Sequence, residues 1–94
     1  MSIDWTGLAA DDLEAIAAYI AQDDQEAAEG VAREIIGAVD KLAAFPGLGR
    51  PGRVEGTREL IPGALPYVVV YETSRRSVLI LRVLHTAQAW PPGP

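Results

Sequence analysis

The sequence predicts an α+β fold: a short N-terminal strand, an antiparallel helical hairpin, and a mainly antiparallel sheet completed by a three-strand C-terminal meander. Three observations predict it. Apolar residues recur at helical spacing through the first half, strand-like runs replace them after residue 56, and a glycine- and proline-rich stretch separates the two regimes. Ninety-four residues suit a single domain over 1–94, with one modest core and no internal repeat.

Ser2 to Trp5 alternates, with Ile3 and Trp5 against Ser2 and Asp4, which predicts a brief opening strand. From Leu8 the period changes. Leu13, Ile16, Ala17 and Ile20 fall at i, i+3, i+4 and i+7, with Asp11, Asp12 and Glu14 in the early turns, where the helix dipole favours acids. Asp23 and Asp24 interrupt this helix, and Asp24 is placed to cap a second one running to about Ala44. Ala28, Val31, Ile35, Ala38, Leu42 and Phe45 form its apolar seam. So short a turn makes the two helices antiparallel.

Phe45 to Gly56 holds four glycines and two prolines in twelve residues, so regular structure must stop there; the loop carries Arg50 and Arg53. Strands are then predicted over Thr57 to Ile61, Tyr67 to Thr73 and Ser77 to Leu84, joined by turns short enough for hairpins, with the opening strand added at an edge. The tail from Pro91 to Pro94 suits neither helix nor central strand. Tyr67 to Tyr71 and Val78 to Leu81 are apolar on both faces, which marks strands buried from two sides. The helices cover one side, and the tail or another chain covers the other.

Composition narrows the function classes. Hydrophobic residues at 49% and charged residues at 22% describe a globular chain. Without cysteine there are no disulfides or thiolate metal sites, and a reducing, cytoplasmic compartment is expected. No apolar run nears the ~18 residues of a membrane span, so no membrane association is expected. No acid and histidine spacing suits a metal, and the glycines of 47–52 lead away from a helix rather than into its N-terminus, so no metal and no cofactor are predicted. Net charge is −5, but the halves differ: residues 1–41 carry ten acids against Arg33 and Lys41, whereas 42–94 carry six arginines against three acids. A chain this acidic is not expected to bind DNA stably by itself.

Five segments in order resemble the RelE/ParE toxin superfamily: Asp12-Leu-Glu-Ala-Ile-Ala-Ala-Tyr-Ile20, Leu42-Ala-Ala-Phe-Pro-Gly-Leu-Gly-Arg50, Gly56-Thr-Arg-Glu-Leu60, Pro66-Tyr-Val-Val-Val-Tyr71 and Ile80-Leu-Arg-Val-Leu-His85. Each alone is ordinary core sequence; their order carries the likeness. The resemblance implies a toxin of a type II toxin-antitoxin module, of the plasmid-stabilisation kind, neutralised by a cognate antitoxin. RelE-like members cut mRNA on the ribosome, and ParE-like members inhibit DNA gyrase by binding it. The nuclease branch resembles a pattern with arginine directly after the aromatic of the middle strand, where this chain has Val68 after Tyr67. The likeness is therefore closer to the ParE branch, with a ribosome-dependent endonuclease, or an inactive homologue acting as co-repressor, as alternatives.

No catalytic set stands out. A nuclease would need fixed positive charge and proton transfer, for which Arg58 and Arg82, with His85 or Tyr71 as the proton carrier, are the candidates. Strand alternation puts Arg82 on a face with Val78, Ile80 and Leu84 and His85 on the other, so the two cooperate only if the strand ends or bulges near Leu84. Arg50, Arg53, Arg58, Arg82, His85 and Trp90 are the expected target-binding residues. Each has a plainer alternative: Arg82 pairing with Glu59 or Glu72, His85 packed at a strand end, Trp90 plugging the sheet. Antitoxin contacts are expected from Leu13, Ile16, Ile20, Tyr67, Val69 and Tyr71, through a hydrophobic groove and a sheet edge.

Overall fold

A computed structural model describes residues 1–88, 90 and 91. The elements are β1 (Ser2–Trp5), α1 (Gly7–Ala21), α2 (Gln25–Asp40), a 3₁₀ turn (Lys41–Ala43), β2 (Arg50–Pro51), β3 (Arg58–Leu60), β4 (Tyr67–Thr73) and β5 (Ser77–His85). The strands form one mixed sheet in the order β1-β5-β4-β3-β2. Edge strand β1 runs parallel to β5, and every other pairing is antiparallel. The expectation for the tail at 92–94 lies outside the described residues.

Both helices start where side-chain oxygens satisfy orphan backbone donors. The Thr6 hydroxyl accepts from the Ala9 N–H and an Asp24 carboxylate oxygen from the Ala27 N–H, each at 3.0 Å. Because α1 starts at Gly7, Asp11 and Asp12 lie beyond its first turn, and the expected dipole role gives way to another, described below. The seam of α2, carried on into the 3₁₀ turn, is buried at Ala28, Ile35 and Leu42 and partly buried at Val31 and Ala38, and Val39 joins the core. Phe45 departs from the expected seam. The tighter 3₁₀ turn changes the angular spacing and leaves the residue 64% exposed.

The helices cover one face of the sheet. Ile35, Val39 and Leu42 meet Val69, Tyr71, Val78, Ile80 and Val83 in a continuous core, with Ile3 and Trp5 of β1 packed against it. Opposite, Val68, Val70 and Leu84 form a second cluster against which Leu81 and Trp90 pack. The two-sided apolar strands of the sequence thus resolve into two cores, one beneath the helices and one beneath the start of the tail. The 45–56 stretch is not wholly irregular either: Arg50 and Pro51 pair with Glu59 and Arg58 as an edge strand, a position where proline's missing N–H is tolerated.

One residue changes the face assignments on β5. Val70 pairs with Arg82 and Tyr71 with Ile80, leaving Leu81 as an extra, unpaired residue in a β-bulge. Val83 consequently joins Val78 and Ile80 on the helix side, and His85 follows it, paired with Tyr67. Arg82 does not share their face as regular alternation predicts. The bulge precedes both Arg82 and His85, so these two remain on opposite faces.

β1 is four residues long and β5 is nine, which leaves part of the β5 edge without a strand partner. The start of α1 takes over. The Thr6 N–H donates to the Ile80 carbonyl at 3.0 Å, and its hydroxyl donates to the Leu81 carbonyl at 3.0 Å. Asp12 then accepts from the Val83 N–H at 2.9 Å and, through both oxygens, from Arg82 Nε at 2.7 Å and Nη2 at 2.9 Å. The pairing expected for Arg82 with Glu59 or Glu72 is corrected to Asp12, brought to it by the helix rather than by a neighbouring strand. We predict that Asp12→Ala destabilises the fold by about 2–3 kcal/mol, because a half-buried guanidinium and an edge N–H both lose their acceptor. Urea unfolding measures it, and a loss within experimental error would refute the assignment.

Candidate functional site

The far edge of the sheet and its loop carry Arg50, Arg53 and Arg58, and one buried carboxylate organises the first two. Glu59 sits in the middle of β3, cross-strand from Val70, with only 2% of its side chain exposed. A charge so placed needs partners. Its Oε2 accepts from the Arg53 backbone N–H at 2.9 Å, and its Oε1 lies 3.5 Å from Arg50 Nη2 and 3.8 Å from Arg53 Nε. Both guanidinium side chains remain more than half exposed, at 61% and 51%. They are therefore held at the root by Glu59 and open to solvent at the tip.

Tyr71 fixes the chain leading into this edge. The residue is fully buried, and its hydroxyl donates to the Pro46 carbonyl and accepts from the Gly49 N–H, both at 2.8 Å. Arg58, cross-strand from Tyr71, donates from Nη1 to the Gly49 carbonyl at 2.7 Å. Gly49 admits no side chain: a Cβ would lie 2.7 Å from the Tyr71 hydroxyl and 2.9 Å from the Glu59 carbonyl. The loop is thus irregular in secondary structure yet tied at several points.

The remaining candidates lie elsewhere. Arg82 is held by Asp12, whose hydrogen bond raises the guanidinium pKa above its ordinary value, with burial opposing and the nearby negative charge adding to the effect. His85 is exposed at the end of β5. Its ring meets Tyr67 edge to face at a centroid distance of 5.5 Å, and its Nδ1 accepts from the Ala87 N–H at 3.0 Å, which leaves the proton of the neutral ring on Nε2. Arg58 shares the helix side with His85, but their partners Tyr71 and Tyr67 are four positions apart on β4. Strand geometry puts the two roughly 16 Å apart. Arg58, Arg82 and His85 do not converge.

Of the residues expected to meet an antitoxin, Val69 and Tyr71 have no exposed surface and belong to the core, which corrects their assignment. Leu13, Ile16, Ile20 and Tyr67 are partly buried. Ile16 and Tyr67 line an open cleft of about 420 Å³ with Ala15, Tyr19, His85 and Gln88, and Leu13 lines another of about 390 Å³ with Trp5 and Ile36. Trp90 packs on the second cluster. Among the described residues no helix is long and apolar enough to cross a membrane, and no cluster of acids and histidines could hold a metal. The roles of Tyr71, Gly49 and Asp12 are visible only in the structure. A tyrosine amid valines suggests a core or partner contact and an acid early in a helix suggests a dipole role, and neither pattern points to the loop or the strand edge that these side chains hold.

A strand, a helical hairpin and a meander, with three arginines at the sheet's far edge, define a RelE/ParE-type α+β protein. The chain belongs to the ParE toxin family, whose model, the ParE toxin of the type II toxin-antitoxin system parDE, matches residues 3–90. It is 48% identical over 89 residues to a candidate toxin of Sinorhizobium fredii, Y4kP, covering 95% of this chain and 92% of that one. It is 38% identical over 84 residues to toxin RelE2 of Caulobacter vibrioides, covering 89% and 93%. Among solved structures it matches a chain of the chromosomal ParDE TA system from P. aeruginosa with a TM-score of 0.80 and 33% identity, over 90% of this chain and 95% of that one.

Replacing Tyr71 by Phe leaves the Gly49 N–H and the Pro46 carbonyl without their shared partner. A stability loss of about 1–2 kcal/mol is expected. Amide exchange at Gly49 should quicken more than exchange in β4, where the ladder is untouched.

Proposed function

We propose that the chain acts as one ParE-like toxin unit over 1–94, inhibiting growth in the cytoplasm by binding DNA gyrase, and that a cognate antitoxin neutralises it. The observation that carries this reading is how the basic side chains are used. Arg82 is committed to Asp12, Arg58 to the Gly49 carbonyl, and His85 stands on the face opposite Arg82. Transesterification of RNA needs a base, an acid and cationic charge around one phosphate. Side chains held apart in this way suit contact with a large partner better than bond breaking.

Antitoxin capture fits the clefts on the helical hairpin. Leu13 in one, and Ile16 and Tyr67 in the other, offer an apolar lining for an amphipathic segment of the partner. The ParDE assembly from P. aeruginosa supports a toxin-antitoxin pairing for this chain as well.

A second reading, a ribosome-dependent mRNA endonuclease, has one point in its favour, the name RelE2 carried by the Caulobacter vibrioides relative. Purified chain added to gyrase and relaxed plasmid discriminates between the two. Loss of supercoiling with no cleavage of mRNA in a translation extract is the expected result. mRNA cleavage with supercoiling unaffected would reverse the assignment. Arg82→Gln separates them further: as a structural partner of Asp12 it should lower stability, and any loss of gyrase inhibition should follow the loss of folded protein.

A further inference from the structure

Phe45 and Leu48 are large apolar residues held outward by a fixed loop. Their exposures are 64% and 51%. Single exposed hydrophobics are ordinary, and two on a slack loop would be too. This loop is not slack. The Phe45 N–H donates to the Lys41 carbonyl at 2.9 Å and the Leu48 N–H to the Phe45 carbonyl at 3.1 Å. Tyr71 then pins Pro46 and Gly49, Arg58 holds the Gly49 carbonyl, and Glu59 holds Arg50 and Arg53 immediately beyond. Buried groups are thus spent on ordering a segment whose own apolar side chains pack against little of the protein. Ordering such side chains before contact lowers the entropy cost of association, the feature that makes a few central apolar residues dominate an interface.

Charge and position narrow the occupant. Arg50 and Arg53 follow the apolar pair directly in the chain with exposed guanidiniums, while the helical half of the chain is strongly acidic. An apolar pair with a basic rim fits a pocket lined by hydrocarbon and edged by carboxylates, as on a protein surface. Phosphate-rich nucleic acid would reward more positive charge and less hydrocarbon. The cleft lined by Ile16 and Tyr67 lies at Tyr67, four residues along β4 from the Tyr71 that anchors this loop, a separation of roughly 13 Å. Loop and cleft are distinct surfaces.

We propose that Phe45 and Leu48 are paired apolar anchors by which this toxin grips its protein target, with Arg50 and Arg53 meeting acidic groups at the rim of the target's pocket. The proposal rests on the reading that the chain acts by binding.

The test uses the full chain carrying Phe45→Ser and Leu48→Ser together, with Arg50→Gln as a second variant. Thermal midpoint, affinity for the cognate antitoxin, gyrase binding and growth inhibition on induction are measured for each. The double variant should keep its midpoint and antitoxin affinity, lose growth inhibition, and bind gyrase about tenfold or more weakly. Arg50→Gln should fall between it and wild type. Full growth inhibition by the double variant overturns the proposal, and so does an equal loss of antitoxin affinity, which would give the loop to the antitoxin. If the wild-type chain stops growth without binding gyrase, the gyrase reading fails, while the anchors are still judged by the variant's effect on growth. A wild-type chain that does neither overturns both.

Discussion

The sheet depends on a helix to finish it. β5 is the strand around which both cores are built, and β1 pairs with less than half of it. Backbone groups left open on a sheet edge must find water or another partner. Thr6 and Asp12 supply that partner from the beginning of α1, and they do so at the β5 bulge, where regular pairing to a longer β1 would be hardest to continue. Thr6 is also the cap that starts α1. One residue therefore begins the helix and ties it to the sheet, so that position and orientation are set together.

Asp12 bears on the charge pattern as well. The first half of the chain is acidic and the second basic. Folding could pair many of these charges, yet among the described residues the ion pairs are few, and only Arg82 reaches a first-half acid. Arg50 and Arg53 share Glu59 from their own half, which anchors them without covering their tips. The acidic helices and the basic far edge consequently face solvent as separate surfaces. A protein with this division presents different chemistry to different partners, whereas a uniformly acidic one would not.

Much of the fold was legible because it rests on periodicity. The spacing of Leu13, Ile16 and Ile20, the cap at Asp24 and the apolar runs of β4 and β5 each reported local structure that tertiary contacts then reinforced. The failures have local causes too. Phe45 continued a helical seam on paper, but a 3₁₀ turn ended the register just before it. Regular alternation put Arg82 with Ile80, and a single extra residue at Leu81 undid that. Val69 and Tyr71 read as possible partner contacts because a strand's pattern does not say which face a helix will cover. The arginines at the far edge were found from their place in a loop, but the buried carboxylate and tyrosine that position them could not be, since their roles arise from contacts 6 to 25 residues away in sequence.

The loop from Phe45 to Arg53 shows why composition misjudges such segments. Glycine and proline forbid long regular elements, and a reading from composition alone stops at flexibility. Here the same residues permit a close approach that ordinary side chains would block: Gly49 lets the backbone lie against the Tyr71 hydroxyl, and Gly52 brings its N–H to within 2.8 Å of the Thr57 carbonyl. Tight backbone contact substitutes for a ladder of strand hydrogen bonds. What it leaves free is the side-chain surface, because the backbone does the anchoring. A segment built this way can be rigid and still present apolar groups to solvent, a combination that a helix or strand packed by its side chains cannot supply on the same face.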